Sequence, residues 1–252
     1  MTINAPTPAQ IPQLRLLWKQ AFGDSDAFLD HFFSLGFSYD RARCVSIGER
    51  PVSALYWFDC LWEGKKLAYL YAVATDEAFR KQGYFQALIR DTHRHLQQLG
   101  YAGAVLSPAS EDLFRMYEKV GYETCCSIRE FHCDAGDTPF SVTMISPEDY
   151  ATLRRQYLPV GGILQEGITL TFWASQALFY AGDGVIFTGY QEDGTLRVSE
   201  FLGDVSAAPG ILKALNLREG TFRTPGSDTP FAMCCLFSPA KTLPSYLGLV
   251  LD

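Results

Sequence analysis

The chain has no run of about 18 apolar residues, the length an α-helix needs to cross a bilayer, and no basic run or stripe. The first absence argues against a spanning helix. The second argues against a nucleic-acid binder, because phosphate contacts need clustered Lys and Arg. Residues 1–12 are polar and proline-rich, unlike a secretory leader. No Cys-x-x-Cys occurs, and the seven cysteines (Cys44, Cys60, Cys125, Cys126, Cys133, Cys234 and Cys235) are an odd number in mostly apolar, strand-like contexts. They read as small buried hydrophobes, and the chain as cytoplasmic. Histidine is scarce: His31, His93, His95 and His132 are all there is. Cys133 beside His132 lacks further ligands at metal-binding spacing, so no metal is expected. His93 and His95, two apart on a helix, read as surface residues.

What is present is a globular composition. The 252 residues are 48% hydrophobic and 14% aromatic, enough for one large domain or two small ones. The formal net charge of −7 mildly favours cationic substrates through long-range steering.

The most informative stretch is Leu67–Gln86. Leu67 to Val73 is an uninterrupted apolar and aromatic strand. The pattern breaks at Thr75-Asp76, crosses a polar turn and resumes as a helix from Gly83. Arg80-Lys81-Gln82-Gly83 therefore stands at a helix N-terminus, where backbone N–H groups lack intrahelical partners and the dipole favours anions. Taken alone, this is equally an ordinary strand-to-helix turn with two solvated cations.

Around it the chain reads as follows. Pro8–Phe22 is an amphipathic helix stopped by Gly23, and a second helix capped by Ser25 or Asp26 runs to Leu35. Strands at 43–47 and 52–62 join the 67–73 strand in an antiparallel meander. After the motif helix come a strand at 102–106, a break at Ser107-Pro108, a helix at 111–120 and a strand at 122–133. Ala135-Gly136-Asp137-Thr138-Pro139 is the best boundary. The remainder looks like a weaker copy: helices near 146 and 169–176, strands at 177–181, 185–191 and 195–202, a helix at 207–217 and a strand at 233–237. After Asp204 no basic-x-x-Gly appears. Leu243–Asp252 is apolar and reads as packed.

Two stretches coincide in a family pattern. Val73-Ala74-Thr75-Asp76 leads into Arg80-Lys81-Gln82-Gly83-Tyr84-Phe85. About 25 residues on comes Ser110-Glu111-Asp112-Leu113-Phe114-Arg115-Met116-Tyr117-Glu118-Lys119-Val120-Gly121-Tyr122. Together they resemble motifs A and B of the GCN5-related N-acetyltransferase (GNAT) superfamily. Phe85 departs from the usual Gly or Ala. That departure and the degenerate second half are similar to the tandem core of the enhanced-intracellular-survival (Eis) type, without its sterol-carrier-like domain.

The resemblance implies an α+β fold with a mixed sheet, the acyl-CoA N-acyltransferase fold. Residues 1–134 would be the catalytic domain and 140–252 a degenerate GNAT-like domain that shapes the acceptor cleft. It implies acetyl-CoA as cosubstrate. Pantetheine would pair along Val73, Ala74 and Thr75, and the pyrophosphate would rest on Lys81, Gln82, Gly83, Tyr84, Phe85 and Gln86 with charge from Arg80 and Lys81. Ser110 and Glu111 would line the cofactor's path. The acceptor would be a small-molecule or peptide amine, with no nucleic acid or membrane partner. Tyr117 would be the general acid that protonates the leaving thiolate; as a residue it is equally a core tyrosine. The base is open between Asp59, Glu63 and, as in the Eis type, the C-terminal carboxylate, here on Asp252. A non-catalytic CoA-binding sensor is the rival function.

Overall fold

Alternation of apolar side chains builds a two-faced sheet from the meander. In the computed structural model, which describes residues 1–250, this meander is β2 (Ala42–Ile47), β3 (Arg50–Trp62) and β4 (Lys65–Thr75), preceded by a short β1 (Thr2–Asn4). Their order is β1-β2-β3-β4, all antiparallel. The β3–β4 link is the two-residue turn Glu63-Gly64, with φ of 49° and 74°, the double positive φ that suits tight hairpins. β5 (Gly103–Leu106) adds on in parallel to β4. A strand from residues 233–236, far along the chain, adds on antiparallel to β5. Residues 233–241 accordingly group with residues 1–123 as one compact unit, and residues 124–232 with the segment from Thr242 as the other. The sequence predicts that the 122–133 strand returns to the sheet; the strand that pairs with β5 is 233–236.

The helices of the first unit follow the two faces. α1 (Ile11–Phe22) buries Leu14, Leu17 and Trp18 and ends on Gly23, whose φ of 77° suits a residue without Cβ. α2 (Asp26–His31), capped by the Ser25 hydroxyl, continues into a π-helical turn over 32–36. The Trp18 ring meets Phe32, Tyr56 and Tyr71 at centroid distances of 4.5, 5.3 and 5.5 Å. Tyr56 and Tyr71 belong to the alternate positions of β3 and β4 that face α1 and α2. The other positions, Leu55, Trp57 and Leu70, pack in one core with Leu88, Ile89 and Leu96 of α3 (Tyr84–Gln98) and Tyr117 of α4 (Glu111–Glu118).

The second unit repeats this scheme. β6 (Glu123–Asp134) pairs with β11 (Glu219–Pro225), and β7 (Val142–Ile145), β8 (Leu178–Gly182), β9 (Val185–Glu192) and β10 (Thr195–Gly203) form an antiparallel meander. β10 pairs with β11 in parallel, as β4 does with β5. Between them lies α7 (Ala208–Ala214); α5 (Pro147–Tyr157) and α6 (Ile168–Trp173) precede the meander's longer strands. Even the turn after the last meander strand is reproduced. Asp76 caps a short 3-10 turn by accepting from Ala78 N at 3.0 Å, and Asp204 caps its counterpart by accepting from Ser206 N at 2.9 Å.

The two turns then diverge. In the first unit Arg80–Gly83 separates the 3-10 turn from α3. In the second the 3-10 turn runs directly into α7, whose first turn contains Pro209. A proline there removes one of the free N–H groups that an anion would need.

The apolar segment 246–250 packs into the second unit. Tyr246, Leu247, Leu249 and Val250 are buried. Ile163 N donates to Tyr246 O at 2.8 Å, and the buried Gln165 accepts from Leu249 N at 3.1 Å while donating to Leu249 O.

Candidate functional site

The centre of the first unit is a strand that breaks its own regularity. β4 pairs with β5 only through Leu67↔Gly103, Ala68↔Ala104 and Tyr69↔Val105. Beyond that point β5 ends, and Ser107-Pro108 cannot extend a ladder on the proline side. On its other edge β4 slips register against β3: Ala54 faces Ala74, but Tyr56 faces Tyr71. Two β4 residues thus oppose one β3 residue, a bulge. Its geometry is carried by Ala72, with φ of 48°, a left-handed conformation that costs a non-glycine residue roughly 1–2 kcal/mol. Burial changes at the same place: Leu67 to Leu70 are buried, whereas Tyr71, Ala72 and Val73 are half-buried in an internal strand. The bulge lies just beyond the last residue of β4 that pairs with β5, so the edge of β4 past Tyr69 has no partner in the β5 ladder.

Substitution should expose that strain. Ala72→Val puts a branched Cβ at positive φ, and we expect a loss of roughly 1–3 kcal/mol in the urea midpoint. Ala72→Gly should stay within about 1 kcal/mol of wild type, since relief of φ strain offsets the entropy of glycine.

Of the two cations in the motif, Arg80 is tied into the loop after β4 and Lys81 is not. Arg50 pairs with Asp76 at 2.6 Å. Arg80 Nε donates to Thr75 O at 3.2 Å and its Nη1 to Glu77 Oε1 at 3.3 Å. Gln82 Nε2 donates to Ala78 O at 3.1 Å. Lys81 stands exposed at φ of 61°. Gly83, at φ of 85°, is the N-cap of α3 and supplies no side-chain cap, and the helix's first turn holds no acidic residue. The first N–H groups of α3 therefore open onto an exposed loop. Ser53 Oγ holds the Ala74 carbonyl and the Thr75 hydroxyl at 2.8 Å each, fixing the end of β4.

Tyr84 packs on Phe79, and Gln86 is exposed. Phe85 turns inward: its ring meets Tyr117 edge-on at 5.3 Å and 75°. Its bulk therefore points at Tyr117 and away from the mouth of the loop. Tyr117 is 6% exposed, and burial pushes its phenol above the ordinary range. Ser110 caps α4 by accepting from Leu113 N at 3.4 Å, and Glu111 faces Arg115 at 3.5 Å on an exposed helix surface. Structure thus brings Gly83, Phe85 and Tyr117 to the neighbouring helices α3 and α4. It gives Arg80, Ser110 and Glu111 local structural partners.

Of the three candidate bases, Asp59 accepts from the Tyr101 hydroxyl and lies 3.3 Å from Lys66 Nζ. It shares the α3-facing side of β3 with Trp57, whose Nε1 donates to the same Tyr101 hydroxyl at 3.2 Å. Glu63 stands in the exposed hairpin turn. Asp252 lies outside the described residues. Among the described residues His132, Asp134 and Glu219 bring ligand atoms within 4.8 Å of one another, in exposed or half-exposed positions on β6 and β11.

His93 is not the surface residue that its spacing to His95 predicts. It is half-buried, its Nε2 lies 2.9 Å from the Tyr122 hydroxyl, and its ring packs on Phe237 at 5.2 Å. Burial lowers its pKa from 6.5 to about 4. Between about pH 4 and 6.5 the unfolded chain binds the proton and the folded chain does not, so stability falls as pH drops through that window. At about 1.4 kcal/mol per pH unit the ceiling is about 3 kcal/mol. His93→Gln should flatten that part of the stability profile, measured as urea midpoints against pH.

Comparison with known proteins bears on this arrangement. Residues 2–125 match the family model described as an acetyltransferase (GNAT) domain. The matched segment, 124 of the 252 residues, holds the β2–β4 meander, α3, β5 and α4, and the match supports an acyltransferase. Its fold is also that of solved GNAT structures. A GCN5-related N-acetyltransferase from Kribbella flavida aligns over 93% of this chain and 70% of its own, at 18% identity and a TM-score of 0.73. A probable N-acyltransferase from Enterococcus faecalis aligns over 93% and 72%, at 16% identity and TM-score 0.71. Eis1 from Mycobacterium abscessus aligns over 94% and 74%, at 12% identity and TM-score 0.68. At these identities the likeness is one of fold. No curated protein sequence gives a significant match.

Proposed function

We propose that the protein transfers an acetyl group from acetyl-CoA to an amine, with the site in the first unit. The observation that carries this is the bulged β4, which leaves β5 after Tyr69 and runs into the uncapped N-terminus of α3. A strand edge freed in that way can take an extended pantetheine arm as an added strand. The N–H groups from Lys81 to Gln86 supply donors for a pyrophosphate, and Gly83 supplies the positive φ that aims them. Arg80 acts by holding this loop through Thr75 and Glu77.

The chemistry needs an unprotonated amine to attack the thioester carbonyl and a proton for the thiolate that leaves. Tyr117 is the proposed donor, because its phenol is neutral across the physiological range and sits on the helix that faces Phe85. Asp59 is not proposed as base, since Tyr101 and Lys66 already occupy its oxygens. The second unit is proposed as a degenerate tandem copy: it keeps the capped turn at Asp204 and the parallel β10–β11 pair and lacks the loop that would hold a phosphate.

The test is release of free CoA thiol from acetyl-CoA with polyamines, aminoglycosides and peptide amines as acceptors. Acceptor-dependent release with an acetylated product is expected. CoA binding without transfer to any acceptor would make the protein a CoA-binding sensor instead.

A further inference from the structure

Two thiols of the second unit stand closer than strand geometry ordinarily brings neighbours. Successive side chains of a strand point to opposite faces, and burial follows that rule here: Cys126 is 1% exposed while Cys125 is half-buried. Their sulfurs are nevertheless 3.5 Å apart. Both are held in place from the backbone: Cys125 Sγ donates to Ala232 O at 3.6 Å, and Cys126 Sγ to Pro244 O at 3.7 Å. The pairing of β11 with β6 ends at Pro225↔Ile128, so β11 does not cover this part of the strand.

The separation distinguishes two kinds of thiol chemistry. Adjacent residues keep their Cα atoms about 3.8 Å apart, inside the lower limit of about 4.4 Å for ordinary disulfides, and an S–S bond needs about 2.05 Å. Closing that bond would require the backbone to distort. Two sulfurs bound to one soft centre at about 2.3 Å each, with an angle between 100° and tetrahedral, stand roughly 3.5–3.8 Å apart. That spacing is already present.

We propose that Cys125 and Cys126 form a vicinal-dithiol site for trivalent arsenicals. The half-exposed Cys125 attacks first, and Cys126 closes the ring. Two As–S bonds replace the As=O bond of an arsenoxide, both thiol protons leave with its oxygen as water, and arsenic stays trivalent. The second step is intramolecular, which favours it over capture of two separate thiols.

The experiment titrates the full chain with phenylarsine oxide, washes with a monothiol and maps the retained label by peptide mass. The expected result is one retained equivalent on the peptide holding residues 125 and 126, released by 2,3-dimercaptopropanol. Cys125→Ser and Cys126→Ala should each lower monothiol-resistant retention on the order of 100-fold. The double variant Cys234→Ser/Cys235→Ser, at the other adjacent pair, should retain the label. Circular dichroism of each variant reports folding, and Cys125→Ser changes only a half-exposed side chain. No retained label in the wild type, retention unchanged in Cys125→Ser, or retention lost only with Cys234 and Cys235 would each overturn the proposal.

Discussion

Glu200→Ala should destabilise the second unit by roughly 3–5 kcal/mol, an effect as large as single substitutions commonly reach. Glu200, on β10, is 0% exposed and Arg154, on α5, is 1% exposed. Arg154 Nε donates to Glu200 Oε2 at 2.7 Å and its Nη2 to Oε1 at 2.9 Å, a two-point contact. Tyr150 OH donates to Glu200 Oε2 at 2.7 Å, and Arg154 Nη1 to Ile163 O at 3.1 Å. Removing the carboxylate leaves a guanidinium in an apolar core without its counter-charge, and Arg154 cannot discharge by giving up its proton.

A second variant separates charge from packing. Arg154→Met with Glu200→Leu removes both charges and should recover most of the loss, leaving as the residual cost the Tyr150 hydroxyl and the Ile163 carbonyl, which lose these partners. Urea unfolding followed by hydrogen exchange at β10 amides reads the effect in the unit that holds the pair. Equal losses in the single and double variants would show that geometry rather than charge pairing holds the site. The network also borders the packed segment 246–250: a Cβ on Gly248 would stand 1.6 Å from Glu200 Oε1. Gly248 therefore has to lack a side chain because the carboxylate fills that space.

What the sequence reveals depends on whether the physics is local. The β3–β4 hairpin is legible because Glu63-Gly64 is a turn signal between alternating strands. The α4 helix is legible because Ser110 caps it and Gly121 follows it. The parallel β11 is harder to see. Its burial alternates strictly from Glu219 to Pro225, but Gly220 and the flanking charges weaken the strand signal, and its partners β6 and β10 are remote in sequence. β1 is three residues long and gains its place only through pairing with β2. The strand at 233–236 illustrates the same limit: composition shows a strand, but nothing local says that β5 is its partner.

The candidate site divides in the same way. Gly83 and the helix start behind it follow from residue type. The bulge does not, because Tyr-Ala-Val-Ala contains no glycine or asparagine to mark the positive φ of Ala72. Arg80 looks like a ligand residue in sequence, since the acceptors that hold it, Thr75 O and Glu77, are close by yet become partners only when the loop folds. The spacing of His93 to His95 predicts a surface residue. His93 is half-buried because Tyr122 and Phe237, neither adjacent in sequence, converge on it.

If the proposed transfer chemistry holds, Tyr117→Phe should lower kcat by about 10²–10⁴-fold, the range that a positioned general acid contributes, while the Kd for CoA changes less than about threefold. The ring is the part of Tyr117 that packs on Phe85 and Tyr122, at 5.3 and 5.4 Å, and phenylalanine keeps it. A structural tyrosine would give a different pattern: little change in kcat, with any loss falling on stability. The pH dependence adds a second discriminator. Burial raises the Tyr117 pKa, so the phenol stays protonated through neutral and mildly alkaline pH, and loss of this acid cannot limit kcat below about pH 10. An acidic limb would instead report deprotonation of the amine or its base. The Tyr117→Phe enzyme should therefore keep the acidic limb of the wild-type kcat profile at a lower level, measured by thiol release from acetyl-CoA across the pH range. An unchanged kcat in this variant would remove Tyr117 from the chemistry and leave it as the core residue its 6% exposure also allows.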